Sequence, residues 1–518
     1  MTQIWKPSAV QILTLMVFWG QIQNYMMRTN LSILIVEMVG SNASSDSIRA
    51  KANESIEFQT CNVEQIDPSD TSIPRNETSN NNGKLDWSPF MQGQVLASFS
   101  YGYVLTQIIG GRLAEKYGIR KIYGGCLFLT GVITFILPAA AKFNVNALIA
   151  LRVLQGIFEG VTFPSLHAMT ARWIPPCSRN SFIARSYFGS TFGVIFTFPL
   201  CGALVPSFGW ECPFYVIGGI TVVWFVAWCI FVFDTPDKHP RISQKEREYI
   251  NNELKKVVNS EDNMTIPWKK ISKSVPFWGL MITDSANTWG MFTLLTNTPT
   301  YMKSVQGLDI KSNGLLSGLP FISRYIGAVT ISPFADLIMK REWLSTTNVR
   351  RLFNSIGLVV PCITLIMLAF ASNSGLECNT TYAITLMCIG MYFNGAIAAG
   401  HFVSHVDLAP NFAGTLFGIS NTFSGGVVGF VVPLVIGALL ENGAMNILAK
   451  WQVVFCLSSG MYFIGNLGYV LMISGEVQTW NFPQKKNDFD EDMHLKDIQL
   501  KDTERFKSLD MNLTSISD

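Results

Sequence analysis

Twelve stretches of this chain are long and apolar enough to cross a hydrocarbon core of about 30 Å, for which a helix needs about twenty residues. They run at 10–38, 88–112, 122–141, 146–171, 183–206, 212–233, 276–301, 312–339, 352–372, 381–405, 412–438 and 452–473. Hydrocarbon offers the backbone no hydrogen bonds, so each stretch is expected to satisfy its own as an α-helix. The expected class is an all-α membrane protein with twelve transmembrane helices. Composition agrees, since 49% of the 518 residues are hydrophobic and only 14% are charged. A formal net charge of +2 selects no class of partner. The first apolar run has full membrane length and no small-residue cleavage site, so it is expected to stay as the first span rather than be removed as a signal peptide.

Basic residues set the expected orientation. Arg112, Lys116, Arg120 and Lys121 follow the second span, Arg172, Arg179 and Arg185 surround the exit of the fourth, and Lys340, Arg341, Arg350 and Arg351 follow the eighth. Cationic loops stay in the cytoplasm, which puts both termini there. The polar insert 41–86 then lies outside. It carries glycosylation sequons at Asn42, Asn53 and Asn76, with a further one in an outer loop at Asn379. Asn30, Asn263 and Asn512 fit the same pattern in the membrane or the cytosol, so the motif alone decides little. Cys61 and Cys378 fall in outer segments and could pair; the other cysteines of the ten lie mostly in apolar spans with no metal-ligand spacing.

Within the fourth span, NALIALRVLQGIFEGVTFPSLHAMTARWIPP holds Arg152, Glu159 and His167 in otherwise apolar surroundings. Ionisable groups at that depth are costly and mark sites. Arg152 and Glu159 are seven residues apart, so both project from one face, roughly 10 Å apart along the axis. Burial favours the neutral form of such an acid and a nearby arginine favours the ionised one, which is the competition a proton switch requires. Arg152 could instead simply neutralise Glu159, and His167 could serve packing or a proton relay. Gly156 and Gly160 allow a second helix to approach at the level of Glu159.

The charged stretch 234–273, with an amphipathic helix expected after Ser243, separates six spans from six. The expected units are 1–233, a cytoplasmic linker 234–273, 274–475, and a disordered cytoplasmic tail 476–518. A trace of duplication supports two related halves. GRLAEKYGIRK after the second span offers Gly111, Glu115 and Arg120, and SPFADLIMKR after the eighth offers Asp336 and Arg341. An acid at a helix end followed by basic residues suits a charge clasp that holds or releases the inner gate. Two six-helix halves joined by a cytoplasmic linker is the arrangement of major facilitator transporters.

Several further stretches resemble one group of that superfamily, the anion:cation symporter family that holds sialin, the type I sodium/phosphate cotransporters and the vesicular glutamate transporters. They are MMRTNLSILIVEM, SFSYGYVLTQIIGGRLAEKYG, LQGIFEGVTFPSLHAMTARWIPP, FTLLTNTPTYM, NGLLSGLP and HVDLAPNFAGTLFGISNTFSG. The resemblance implies secondary active symport of a small inorganic or organic anion with Na⁺ or H⁺ by alternating access. It implies anion binding and gating by Arg28 and Arg152, and proton coupling by Glu159 and His167. Asn287 and Tyr301 are expected to face the cavity from the seventh span. Asp284 could do so too, or join a sodium site, and Arg324 in the eighth span is deep enough to be a candidate without a clear family role. Where vesicular glutamate transporters carry an arginine two residues before the tryptophan of the seventh span, this chain has Asn287, and where they carry a histidine in the second span it has Leu96. Vesicular glutamate loading is therefore not expected, and the sialin and phosphate branch is the nearer one.

A rival reading is a membrane receptor or sensor on a transporter fold without net flux. It would need a buried acid and paired arginines less than a carrier does. No phosphate-cradling loop, nucleophile elbow or nucleic-acid module is present, so neither enzyme activity nor nucleic-acid binding is expected. No cofactor or metal is expected beyond the co-transported cation. The expected partners are a small anionic substrate and the lipid bilayer, with the chain a monomer. The termini lack an acidic Leu-Leu sorting pair, which favours the plasma membrane over lysosomal or vesicle membranes.

Overall fold

The computed structural model describes residues 8–39, 85–175, 179–261 and 266–481. Helices α1 (Ala9–Met38), α2 (Pro89–Tyr117), α3 (Ile119–Phe143), α4 (Val145–Gly160), α5 (Thr162–Trp173), α6 (Arg179–Phe208) and α7 (Cys212–Phe231) precede the charged stretch, which carries α8 (Gln244–Glu261). After it come α9 (Val275–Ser304), α10 (Ile310–Lys340), α11 (Thr346–Ala369), α12 (Thr380–Asn394), α13 (His401–Leu408), α14 (Ala413–Asn421), α15 (Gly429–Glu441) and α16 (Ile447–Met472). Side-chain caps fix many of these starts. Ser8 forms a capping box with Gln11 at α1, and Ser88, Asn144, Asp309, Ser345 and Asn446 accept from the first turns of α2, α4, α10, α11 and α16.

Among the described residues nine helices are long and apolar enough to cross a membrane. Three more, α1, α2 and α9, have 30, 29 and 30 residues but are interrupted by polar side chains. Those three carry Arg28, Gln107, Asp284 and Asn287 toward the interior, which is why their composition falls short. Apolar side chains such as Leu105, Val223, Phe463 and Leu471 are exposed on the outside of the bundle. An apolar exterior of this kind is matched by lipid rather than water, and the chain is an integral, multi-pass membrane protein.

The fourth span is not one helix. Pro164 has no N–H for the carbonyl of Gly160, so α4 ends at Gly160 and α5 begins at Thr162. At the break the Thr162 hydroxyl donates to the Glu159 carbonyl at 2.6 Å. A second interruption is a π-turn at Thr422–Val428 between α14 and α15. Broken backbone at membrane depth is tolerated where protein or a cavity covers it, and both breaks face the bundle interior.

At the bundle end that holds Met38 and Ser304, helices from before and after α8 meet directly. Lys303 Nζ donates to Glu37 Oε1 at 2.7 Å and to the Val36 carbonyl at 2.8 Å, joining α9 to α1. Glu441, at the end of α15, accepts from Phe90 N at 3.1 Å at the start of α2, where a carboxylate also suits the helix dipole. A Cβ at Gly93 would lie 3.2 Å from the Cα of Gly437, so α2 and α15 touch through backbone. At the opposite end, Glu246 of α8 accepts from Ala9 N and Val10 N, each at 3.2 Å, and so caps α1.

Val39 and Leu85 form a parallel bridge, so the insert between the first two spans leaves and re-enters at neighbouring points. Asn42, Asn53, Asn76 and Cys61 lie outside the described residues. Cys378 is disulfide-bonded. Asn379 is exposed and its Oδ1 accepts from Tyr382 N at 3.0 Å, capping α12.

Candidate functional site

Arg152 projects from α4 into a space shared with α1 and α2. Glycines make this possible: a Cβ at Gly156 would collide with the Phe99 carbonyl, and one at Gly160 would lie 2.6 Å from the Tyr103 carbonyl. The two backbones are therefore in contact, and α2 is the helix that the glycine pair admits. Arg152 is 2% exposed. Its Nη1 donates to Gln155 Oε1 at 3.0 Å and to the Met27 carbonyl at 3.4 Å, and its Nη2 donates to the Arg28 carbonyl at 3.4 Å. Gln155 is held in turn by donating to Thr134 Oγ1 at 2.9 Å. Among the described residues Arg152 has no carboxylate partner, and its Nε is buried without a hydrogen bond.

Arg28 sits in an aromatic cage. Its guanidinium carbon lies 5.6 Å from the ring centroid of Tyr25, 5.0 Å from Phe99, 4.9 Å from Tyr103 and 5.2 Å from Phe292. Such faces attract a cation without neutralising it. Tyr25, Phe99 and Tyr103 come from α1 and α2, whereas Phe292 comes from α9, so the cage is built from both sides of α8. Glu37, a possible counterion on the same helix, is taken by Lys303. Arg28 Nη2 is buried with no hydrogen-bond partner among the described residues. Together Arg28 and Arg152 line a cavity with Thr29, Ser100, Thr296 and Leu96, one of the positions where the sequence departs from the vesicular glutamate transporters. Its volume is about 20 Å³, room for roughly one water.

Glu159 is 1% exposed, and neither of its carboxylate oxygens has a hydrogen-bond partner among the described residues. Arg28 and Arg152 are the charges that act on it, yet neither forms an ion pair with it. The simple neutralisation of Glu159 by Arg152 is thus absent. A buried ionised carboxylate without donors costs several kcal/mol, so this environment accommodates the acid with a proton on it or with a cation beside it.

The remaining expected site residues fall elsewhere. Tyr301 does not line the small cavity: it is buried edge-on against Trp451 and Phe455, with centroids 5.2 Å away in each case, near the Ser304 end of α9. Its hydroxyl accepts from Gln306 at 3.4 Å. An aromatic near a span end reads the same in sequence whether it faces a cavity or a packed neighbour. Asn287 does not line the small cavity; its Oδ1 accepts from Asn394 at 2.9 Å, and Asn394 Oδ1 accepts from Arg324 Nε at 2.9 Å. Arg324 thus brings a third deep cation, again without a carboxylate partner among the described residues.

Asp336 is exposed at the end of α10 with no hydrogen bond or ion pair among the described residues. The ion pair at that end of α11 is Arg350 Nε to Asp407 Oδ2 at 2.6 Å. Arg120 turns toward the end of α7: its backbone N donates to Asp234 Oδ1 at 2.9 Å, its guanidinium donates to the Cys229 carbonyl, and it stacks over Phe233 at 5.1 Å. Gly111, Glu115 and His167 lie in helical backbone, and the side chains of Glu115 and His167 are outside the described ones.

The aromatic cage escaped sequence reading because it is assembled from three helices. Its only sequence trace was the aromatic density of SFSYGYV beside MMRTN. Asn421 was legible as polar, but not its role: its amide donates to Tyr103 OH at 3.3 Å and Gln107 Oε1 at 3.2 Å, bridging α14 to α2.

Comparison with known proteins matches residues 17–433 to the Major Facilitator Superfamily. Sialin of Ovis aries is 35% identical over 474 residues, covering 91% of each chain. A putative inorganic phosphate cotransporter of Drosophila melanogaster is 38% identical over 477 residues, covering 91% of this chain and 86% of that one. Among solved structures, a D-xylose-proton symporter superposes with a TM-score of 0.59 at 13% identity, over 91% of this chain and all of that one. Two arginines without a carboxylate partner among the described residues, beside a buried acid, have a natural place at the centre of such a bundle: the chain belongs to the anion:cation symporter family of the major facilitator superfamily and is a secondary transporter.

Proposed function

We propose that this transporter carries a small inorganic or organic anion, a phosphate or a carboxylate such as a sialate, together with H⁺ or Na⁺ by alternating access. One observation carries the reading: among the described residues, Arg28 and Arg152 line one cavity with no carboxylate paired to them, beside an acid with no hydrogen-bond partner. An anion supplies the missing charge. Arg152 offers a planar fork, and Arg28 is held at the boundary between the two helix groups, where closure around a substrate must be sensed. Glu159 and His167 carry the coupling proton. Relatives named for sialate and phosphate support the substrate class, and Leu96 and Asn287 turn it away from glutamate loading.

The contacts at the Met38 end support an arrangement closed on that side, and the small central cavity supports one tightened around the arginines. With both termini cytoplasmic, the closed side is the outer one. In this reading 1–233 and 274–475 are the rocking halves, 234–273 links them, 476–518 is a cytoplasmic tail, and Gly111, Glu115, Arg120 and Asp336 belong to the inner gate. The outer loop is glycosylated at Asn42, Asn53, Asn76 and Asn379, and the chain works as a monomer in the plasma membrane. Surface biotinylation and deglycosylation in a cell that glycosylates test the last points.

The transport reading is tested in proteoliposomes with radiolabelled inorganic phosphate, N-acetylneuraminate and glutamate under imposed proton or sodium gradients. Accumulation of phosphate or N-acetylneuraminate under one gradient is expected. Binding without accumulation of any probe under either gradient would favour the sensor reading instead.

A further inference from the structure

A buried acid–histidine pair lies among α9, α11, α13 and the π-turn, on helices that the arginine cavity does not use for its charged groups. Asp284 Oδ2 accepts from Ser424 Oγ at 2.9 Å and from Ser420 Oγ. Ser420 and Ser424 flank the start of the π-turn at Thr422–Val428, and wide turns of this kind recur at functional positions. Asp284 Oδ1 faces His401 Nε2 at 3.8 Å. His401 is completely buried and that nitrogen has no hydrogen-bond partner among the described residues.

The neighbouring network fixes the histidine tautomer. Asn354 Nδ2 donates to Thr283 Oγ1 and to Asn466 Oδ1, each at 3.4 Å, which leaves Asn354 Oδ1 as the acceptor from His401 Nδ1 at 2.7 Å. With its proton on Nδ1, a neutral imidazole turns the lone pair of Nε2 toward a carboxylate oxygen. Two acceptors then face each other in a dry site. One added proton converts that repulsion into an imidazolium–carboxylate or imidazole–carboxylic acid pair.

The other charged and titratable groups around the pair leave this requirement in place. His405, one turn further along α13, is buried with its Nε2 also unpartnered and its ring against Phe417. Arg324 of α10 is engaged by Asn394. Tyr469 of α16 shares a hydrogen with Ser404 at 2.6 Å. Asp407 is taken by Arg350 and cannot serve as the histidine's counterion.

We infer that Asp284 and His401 form a second proton-binding site, separate from Glu159, which takes one proton from water on one side of the membrane and releases it on the other in each transport cycle. The inference rests on the transport reading above. Proton sites on both sides of α8 tie the protonation of each helix group to its exposure to water, because neither tolerates an unpaired charge when closed.

The test uses the full chain in proteoliposomes with the membrane potential clamped at zero and a pH difference of one unit. The probe is radiolabelled inorganic phosphate, replaced by N-acetylneuraminate where wild type does not carry phosphate. Each coupled proton multiplies the final accumulation ratio about tenfold per pH unit. Asp284→Asn is expected to lower the plateau about tenfold relative to wild type, and His401→Gln to do the same. A residue that only holds the fold would slow the approach to the plateau without moving it. Exchange at equal pH on both sides, which requires folding and alternating access but no net proton movement, identifies variants that remain intact, and His401→Gln decides the matter where Asp284→Asn loses exchange. An unchanged plateau in an intact variant would overturn the inference while leaving the transport reading standing. So would accumulation driven by a sodium gradient at equal pH that Asp284→Asn abolishes, since the site would then hold a metal cation. No gradient-driven uptake of either probe by wild type would defeat both readings together.

Discussion

Arg152 Nη2 donates to the backbone carbonyl of Arg28 at 3.4 Å, so the most deeply buried cation of α4 holds the very segment of α1 that carries the other. If Arg152 binds the anion as proposed, drawing it away would release α1, the helix that Lys303 fastens to α9. The fork of a guanidinium is what allows one side chain to reach Met27, Arg28 and Gln155 at once.

Arg152→Lys keeps the charge and loses that fork. The apparent affinity for the transported anion is expected to fall about tenfold, a change of about 1.4 kcal/mol, while the amount of folded protein stays near wild type. The check is the concentration dependence of uptake in proteoliposomes; an unchanged KM would remove Arg152 from the anion site.

Lys303→Met removes the ion pair with Glu37. The pair is partly exposed, so its loss costs at most about 1 kcal/mol, or roughly a fivefold shift toward the arrangement open at the Met38 end. A cysteine placed at Ser32, on a background without accessible native thiols, is expected to react faster with an impermeant reagent added from that side. Equal labelling rates would mean that the pair does not help to hold this end closed.

Gly156→Ala tests the packing beneath the site. The added methyl meets the Phe99 carbonyl, so α2 and α4 must separate, and overpacking of this kind costs about 1–3 kcal/mol. A lower apparent Tm of the detergent-solubilised protein is expected, with transport reduced because Phe99 also forms part of the Arg28 cage. A Tm equal to wild type would show that the helices have slack at this level.

Much of the fold was legible because lipid imposes a simple requirement, a run of apolar residues of fixed length, and α3, α7, α11 and α16 satisfy it plainly. Sequence also placed Arg28, Arg152 and Glu159, since a charge inside such a run stands out. What it could not supply were relations between runs. The break at Val161 follows from Pro164, which could equally have kinked a continuous helix. Asp336 occupies a place where a clasp would sit and is exposed, while the ion pair of Arg350 with Asp407 at that end had no sequence signature. Tyr301 packs on Trp451 and Phe455, and an aromatic side chain carries no mark that separates packing from binding. The Arg28 cage joins residues from α1, α2 and α9 whose meeting is decided by tertiary packing alone.

The central claim is that Glu159, an acid without a hydrogen-bond partner beside two arginines without a carboxylate partner among the described residues, links a moving cation to a moving anion. Glu159→Gln measures it most directly, through two readings on the same proteoliposomes: net accumulation of the transported anion under an imposed gradient, and exchange of that anion with no gradient. The account predicts that the variant exchanges at a rate within a few-fold of wild type and loses gradient-driven accumulation. Accumulation at the wild-type level, or equal loss of both activities in a folded protein, would contradict it.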